Sequence, residues 1–237
     1  MIGNLNETTL HEQIKLAYAE GAGLTEQAVG GFFIDVVTDD ELIEVQTRGL
    51  GKLRRKIVEL SPQHPIRIVH PVARETVINK LSADGELISS RRSPKRGRVE
   101  DAFREIVSIA DLLPDPAVTI DVLIVDVVET RIDDGTGSWR RRGVRIAGRA
   151  LARIVEMRRF STDADYLSLL PTRLRDARFT NADVIAAAGL PYRTIQPITS
   201  TLRKMDLLRV VGRDGRNTVY ETNARHNLDT RGRSRYR

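Results

Sequence analysis

The chain has 237 residues and no cysteine, so disulfides and thiolate zinc sites are excluded. Its hydrophobic and charged fractions, 41% and 30%, are those of a globular protein with a sizeable core. The net charge of +6 is uneven, because residues 1–85 hold 9 Lys/Arg against 12 Asp/Glu while residues 86–237 hold 29 against 20. The basic surplus in the last two thirds indicates contact with a polyanion, and the alternative is a solubilising surface.

Two absences narrow the class of protein further. No run of about 18 apolar residues occurs, so no transmembrane helix and no membrane contact are expected. The N-terminal stretch lacks the basic start and apolar centre of a secretory signal, which leads us to expect a cytoplasmic protein.

The first third of the chain predicts an α-β-β-α-β order. Apolar residues at helical spacing mark a helix over residues 8–20, and two β-rich runs, 28–37 and 42–47, flank a polar turn and predict a hairpin. An amphipathic helix over 48–62 and a strand over 64–73 follow. A helix between the second and third strands permits a parallel crossover.

The middle of the chain is read as a basic connecting region. Residues 89–98 form a basic Ser/Pro/Gly loop, and residues 99–113 are predicted to be helical. A long apolar run over 118–132 predicts a strand. Residues 145–160 place arginines at regular intervals among apolar residues, and we expect a second helix with basic faces there.

The last third has a different pattern. A short helix begins at Thr180, with Asp183 in the capping-box position; Gly189 makes a turn, and Pro191 opens a longer helix. A two-stranded hairpin over 208–222 follows. This order over residues 179–222 resembles the winged helix-turn-helix family, and the resemblance implies that the second helix and the hairpin wing bind DNA.

The residues that would contact DNA in this motif carry side chains suited to base edges and phosphates. They are Tyr192, Arg193, Thr194, Gln196, Arg203 and Lys204 on the second helix, and Arg213 and Arg216 at the wing tip. Pro197 lies within the helix and is expected to bend it. The alternative is a winged helix used for protein contact.

A second constellation lies in the N-terminal hairpin. Alternation along a strand puts Glu44 and Gln46 on one face, and a turn at 38–41 would bring Asp35 close to Glu44. Two close carboxylates repel each other unless a divalent cation lies between them, and Mg²⁺ prefers such oxygen ligands. The alternative is ion pairing, of Asp35 with Arg67, and of Glu44 with Arg48 or His70.

The D-x8-E-x-Q spacing on this hairpin, with the α-β-β-α-β order over about residues 8–73, resembles the PD-(D/E)xK, restriction-endonuclease-like nuclease superfamily. The resemblance implies a Mg²⁺ or Mn²⁺ site formed by Asp35 and Glu44, with Glu12 as a further ligand. Gln46 stands where the family has its catalytic lysine, and it orients water without supplying that lysine's charge. The whole chain also resembles a set of uncharacterised bacterial proteins, which implies no activity.

Further cations outside these motifs are candidates for DNA-backbone contacts. They are Lys52 and Arg55 in the predicted helix over 48–62, Arg91, Arg92, Lys95 and Arg96 in the basic loop, and Arg140, Arg141 and Arg142 in the segment after the long strand. For Lys52 and Arg55 the alternative is a solvated helix face. Trp139 either stacks on a base or anchors its loop, and the anchor is favoured.

The sequence therefore predicts an α/β protein in four parts. Residues 1–85 form a restriction-endonuclease-like domain, 86–160 a basic α/β connecting region, 161–223 a winged helix-turn-helix, and 224–237 a disordered basic tail. The first functional hypothesis is a metal-dependent DNA endonuclease. The alternatives are a DNA-binding regulator with an inactive nuclease fold and a protein-interaction module, and a homodimer is compatible with each.

Overall fold

The structure, a computed structural model, describes residues 8–20 and 23–223 and has a mixed α/β fold. The helices are α1 (Thr8–Ala19), α2 (Arg54–Leu60), α3 (Phe103–Ile106), α4 (Asp163–Leu167), α5 (Asn181–Ala188) and α6 (Tyr192–Lys204). The strands are β1 (Leu24–Val29), β2 (Phe32–Val37), β3 (Leu42–Val45), β4 (Ile66–Ser82), β5 (Leu87–Arg92), β6 (Val118–Asp133), β7 (Val144–Phe160), β8 (Phe179–Thr180), β9 (Leu208–Asp214) and β10 (Asn217–Thr222).

Seven of these strands form one sheet, in the order β1-β2-β3-β4-β6-β7 with β5 paired to β4. Strands β1, β2 and β3 are antiparallel neighbours, whereas β3 and β4 are parallel, with Ile43 opposite Arg67. The predicted parallel crossover is therefore confirmed, and α2 lies in the connection between its strands. The remaining strands, β8, β9 and β10, form a small separate sheet.

The first predicted strand of the hairpin is in fact two strands. Gly30 and Gly31 have φ values of 55° and 82° and form a tight turn, across which Val29 pairs with Phe32. Residues other than glycine rarely adopt this left-handed backbone conformation. The Gly-Gly pair therefore splits the apolar run into two strands. The order in this region is therefore α-β-β-β-α-β.

The predicted helix over residues 145–160 is wrong, because this segment is strand β7. Its first three arginines recur every four residues, and a spacing of four falls on one face of a helix or of a strand. Arg145, Arg149 and Arg153 form ion pairs with Asp134, Glu129 and Asp126 of the β6 strand and the turn that follows it. These long-range ion pairs favour the strand, whereas local periodicity does not distinguish a strand from a helix.

The predicted helix over residues 99–113 is replaced by shorter pieces. Only α3 is α-helical, and 3-10 turns over Val99–Ala102 and Ala110–Leu112 flank it. The Ser108 hydroxyl donates to the carbonyl of Glu105 at 2.7 Å, which competes with the regular helical ladder. Phe103 and Ile106 are nevertheless fully buried, as the amphipathic pattern predicts.

The described chain divides into two compact units, each made of separated segments. Unit 1 comprises residues up to 47, 64–99 and 121–158, and unit 2 comprises 48–63, 100–120 and 159 onwards. In unit 1, Leu10 and Ile14 of α1 belong to an apolar cluster with Val36, Ile43 and further sheet residues.

Unit 2 has an aromatic core of its own, in which the ring of Phe160 lies 5.3 Å from those of Phe103 and Tyr166. Among the helices of the described residues, none combines the length and apolar composition needed to cross a bilayer. The tail over 224–237, for which we predict disorder, lies outside the described residues.

Candidate nucleic-acid interface and acidic cluster

The predicted carboxylate pair lies where strands β2 and β3 part. Their register pairs Val36 with Ile43, and one further step would bring Asp35 opposite Glu44. The ladder stops there because the Asp35 side chain accepts the Val45 N–H at 2.8 Å. Glu44 is only 4% exposed and Asp35 is half-buried, so both acids lie within the sheet.

A histidine from α1 is the second partner of Asp35. The Nε2–H of His11 donates to Oδ1 of Asp35 at 3.2 Å. This hydrogen bond, which outweighs the effect of burial, raises the pKa of His11 above its ordinary value. The pair therefore behaves as an ion pair over a wider pH range than a free histidine would allow.

Glu12, the third predicted metal ligand, is engaged with a buried lysine. The Nζ of Lys15 lies 2.8 Å from carboxylate oxygens of both Glu12 and Glu26, and the lysine is 3% exposed. Burial lowers the pKa of Lys15, but the hydrogen bonds to Glu12 and Glu26 outweigh this effect and raise it. Lys15 is thus a structural cation between two acids.

These contacts do not fit a divalent metal site. Within residues 8–20 and 23–223, no group of three or more His, Asp or Glu side chains is placed to hold an ion. The backbone of Gln46 is fixed in the sheet, since its N–H donates to Val69 and its carbonyl accepts from Nδ1 of His70 at 2.7 Å. Arg67, the alternative partner for Asp35, forms ion pairs with Glu41 and Asp121 instead.

A different candidate site lies in unit 2, on the helix pair α5–α6. The predicted capping box is confirmed, because Thr180 and Asp183 exchange hydrogen bonds between side chain and backbone. Gly189 ends α5 with a φ of 67°, and Pro191 caps α6. Pro197 lies inside α6, in its second turn, as the sequence predicts.

Helix α6 and the β9–β10 hairpin enclose a groove of ≈ 440 Å³, which we call the α6–wing groove. Its lining combines aromatic, amide, hydroxyl and guanidinium groups and contains no carboxylate. The lining residues are Asn181, Tyr192, Gln196, Thr199, Ser200, Arg203, Val210, Arg213, Arg216, Asn217, Thr218 and Tyr220.

The three arginines of the groove are exposed, and none has an ion-pair partner among the described residues. By contrast, Arg209 on the same hairpin is paired with Glu221. Guanidinium groups without an ion-pair partner form a positive surface that attracts anions, phosphates above all.

The structure gathers five of the predicted DNA contacts in this groove: Tyr192, Gln196, Arg203, Arg213 and Arg216. Two others serve the fold instead. Thr194 is buried and accepts from Arg104 at 3.2 Å, and Nζ of Lys204 donates to the carbonyl of Val107 at 2.8 Å. Arg193 is exposed and lies outside the groove lining.

Sequence reasoning missed Asn181 and Tyr220 as groove residues. Asn181 is the first residue of α5, and Tyr220 belongs to the second strand of the hairpin. Only the antiparallel pairing of β9 with β10, in register Asn217–Asp214, brings the second strand beside the helix. Hairpin length and polarity could have indicated Tyr220, whereas no local signal indicates Asn181.

The remaining predicted cations lie elsewhere. Arg55 pairs with Glu59 one helical turn away, in line with the solvated-face alternative, and Lys52 lies in the preceding 3-10 turn. Arg91 and Arg92 end the exposed strand β5, where the loop beyond contains Lys95 and Arg96. Arg140, Arg141 and Arg142 form the exposed tip between β6 and β7.

Comparison with known proteins places this chain among relatives of undetermined function. Residues 8–161 match the family described as Domain of unknown function (DUF8091). An uncharacterized protein of Treponema pallidum (strain Nichols) is 31% identical over 174 residues, which cover 73% of this chain and 69% of that protein. No solved structure matches the chain significantly. The chain therefore belongs to the DUF8091 family.

Proposed function

We propose that this protein binds duplex DNA through a winged helix-turn-helix formed by α5, α6 and the β9–β10 hairpin. The observation that carries the proposal is the α6–wing groove, with three unpaired arginines and no carboxylate in its lining. Phosphates supply most of the affinity in such an interface, and unpaired cations meet them without first breaking an internal ion pair.

The polar residues of the groove suit base contacts as well as phosphate contacts. Tyr192, Gln196 and Ser200 follow one another at intervals of four residues, so they form one stripe along α6. Glutamine can recognise adenine by two hydrogen bonds, and hydroxyl groups contact several base edges. The opposite side of α6 is buried through Ile195, Ile198 and Leu202, which leaves the stripe free for a ligand.

The decisive experiment measures DNA affinity as a function of salt. The wild-type protein is titrated into a labelled duplex, beside the triple variant R203A/R213A/R216A and the control Arg209→Ala. Three lost phosphate contacts should flatten the slope of log K against log salt by roughly 2–3. The control should behave like the wild type, because Arg209 is already paired with Glu221.

Absence of salt-dependent DNA binding by the wild-type protein would overturn the proposal and favour a protein-interaction module. Equal slopes for the wild type and the folded triple variant would place DNA binding outside the groove.

A DNA endonuclease is the second candidate, and the place of Asp35 and Glu44 on neighbouring strands favours it. It would require the acidic cluster to rearrange, since Glu12 is engaged with Lys15. Plasmid and branched DNA are incubated with Mg²⁺ or Mn²⁺, beside Asp35→Ala and Glu44→Ala. Cleavage that both variants abolish would support the enzyme, whereas binding without cleavage supports a DNA-binding regulator.

A further inference from the structure

Trp139 is the most exposed large apolar side chain among the described residues, with 84% of its surface accessible. The preferred sequence-based reading, an indole that anchors its loop, is therefore wrong. Large aromatic surfaces left in water are uncommon unless they contact a ligand, and rigid exposed tryptophans often dominate binding energy.

The tip that carries Trp139, residues 134–143, is held in one shape by its own contacts. Asp134 accepts from the backbone and hydroxyl of Thr136 and from Arg145 at 2.6–3.0 Å. The N–H of Gly137 donates to the carbonyl of Gly143 at 2.7 Å. Binding of a ligand to Trp139 would therefore cost little conformational entropy, because the tip is already ordered.

The glycines of the tip are required by this close packing. A Cβ on Gly137 would lie 2.2 Å from the carbonyl of Val144, and Gly143 has a φ of 82° with its own Cβ position 2.9 Å from Gly135. Such approaches exclude any side chain at these positions. The backbone shape of the tip therefore depends on glycine at these two positions.

Positive charge surrounds the exposed ring. The guanidinium of Arg140 lies 5.6 Å from the ring centre, and Arg141 and Arg142 follow directly. Among the described residues none of these three arginines has an ion-pair partner, whereas Asp134 in the tip is paired with Arg145 and the preceding Asp133 with Lys80. The tip therefore offers an aromatic face together with surplus cations.

We propose that the Trp139 tip is a second nucleic-acid site, where the indole stacks on an unpaired base and the flanking arginines hold adjacent phosphates. Bases in intact duplex already stack on their neighbours, so the preferred ligand is DNA with a single-stranded gap or end. An anionic membrane surface is disfavoured as the ligand, because membrane binding needs a larger apolar area. Trp139 has the only large apolar side chain within residues 134–143.

This inference extends the proposed DNA binding, and it can be tested separately because Trp139 is the only tryptophan. Its fluorescence is followed while three DNAs are added: a duplex, the same duplex with a gap of a few nucleotides, and the single strand. The gapped and single-stranded DNAs should quench the emission strongly, and the intact duplex only weakly. The R203A/R213A/R216A variant should retain the quenching by single-stranded DNA.

Affinity measurements by anisotropy complete the test. Trp139→Ala should weaken binding to gapped DNA by about tenfold, with less than about twofold change for the intact duplex. Trp139→Phe, which keeps a stacking ring, should recover most of the loss. A Trp139→Ala variant that loses affinity equally for all three DNAs would overturn the assignment.

Two further outcomes also contradict the inference. Unchanged emission while gapped DNA binds would show that the indole contacts no base. Quenching or a blue shift produced by phosphatidylserine vesicles, and not by any DNA, would assign the tip to a lipid surface. If the wild type fails to bind intact duplex while single strands quench Trp139, the groove proposal fails and this one stands.

Discussion

Two regions of the molecule treat charge in opposite ways: the acids of strand β6 in unit 1 and the α6–wing groove in unit 2. In unit 1, Asp126 accepts from Arg74 and Arg153, and Glu129 accepts from Arg131 and Arg149. In the α6–wing groove of unit 2, three arginines have no acidic partner among the described residues. Paired charges fix neighbouring strands, whereas unpaired cations keep their binding capacity for a ligand.

Burial explains why Glu129 needs two arginine partners. Glu129 is 3% exposed, and burial raises its pKa, yet the hydrogen bonds from Arg131 and Arg149 outweigh burial and lower it. Desolvation of a single carboxylate is costly, and two guanidinium groups offset that cost. The comparison predicts that changes at the β6 ion pairs alter stability, while changes in the groove alter affinity.

The largest expected effect is on folding and comes from Glu129→Gln. Removing the buried charge leaves Arg131 and Arg149 facing each other without a counter-ion, which should lower the free energy of unfolding by about 2 kcal/mol. This figure is below that of a fully buried pair because both arginines are partly exposed and screened by solvent. Urea unfolding measures it.

The matched control for that change is Glu59→Gln, which breaks only the exposed helical pair with Arg55 and should leave the free energy of unfolding almost unchanged. Duplex affinity should be the same in both variants. Equal stability of the two variants would refute the distinction between buried and exposed pairs.

The next effect is on affinity and compares two arginines of one strand. Arg213→Ala removes an unpaired cation of the groove, whereas Arg209→Ala removes a cation paired with Glu221. We expect the first to weaken duplex binding by roughly fivefold to tenfold and to reduce the salt slope by about 1. The second should change affinity by less than about twofold, and titration by anisotropy compares them.

If Arg209→Ala weakens DNA binding as much as Arg213→Ala, an ion pair with Glu221 does not keep Arg209 from contacting DNA. That result would contradict the distinction between paired and unpaired arginines. Melting temperatures of both variants should stay within a few degrees of the wild type, since both residues are exposed.

A smaller effect distinguishes two tyrosine hydroxyls. The hydroxyl of Tyr18 donates to the buried carboxylate of Asp121 at 3.1 Å, while that of Tyr166 is buried and has no hydrogen-bond partner among the described residues. Tyr18→Phe should lower the free energy of unfolding by about 1 kcal/mol, and Tyr166→Phe should leave it unchanged or raise it slightly. Calorimetry on the two variants measures both changes in stability. A clear loss of stability in Tyr166→Phe would show that this hydroxyl has a hydrogen-bond partner.

The smallest effect is a pH dependence at the His11–Asp35 pair. Because the folded pKa of His11 is raised, the pair's contribution is fully present below the unfolded pKa of about 6.5 and is lost as pH rises through the folded value. Asp35→Asn should remove this contribution, roughly 0.5 kcal/mol. Thermal melts from acidic to basic pH should show a flatter profile for Asp35→Asn than for the wild type or the exposed control Asp39→Asn.

Much of the fold was predictable from local signals. The capping box at Thr180, the turn at Gly189 and the hairpin over 208–222 each follow from residue types with a fixed conformational role. The long apolar run of β6 was equally clear. These signals depend on a few neighbouring residues, and the structure follows them.

The predictions that failed depend on distant partners. The arginines of β7 fit either period until Asp126, Glu129 and Asp134 are placed beside them. In the acidic cluster the sequence predicts two adjacent strands, and the Glu12–Lys15 pair is local to α1. The sequence contains no sign that Glu26 would join Lys15 or that His11 would reach Asp35. The chemistry of a site depends on side-chain contacts between different elements, and the residues in these contacts are far apart in the sequence.

The interleaved composition of the two units has a consequence for synthesis. Unit 2 combines segments from before residue 64, between 100 and 120, and after 159, so it cannot be completed until most of the chain has left the ribosome. Until then α3 lacks its helical partner, since it packs on α6 at the far end of the sequence. A fragment that starts at 161 would lack Arg104 and Val107, which hold α6 by hydrogen bonds, and should refold poorly on its own.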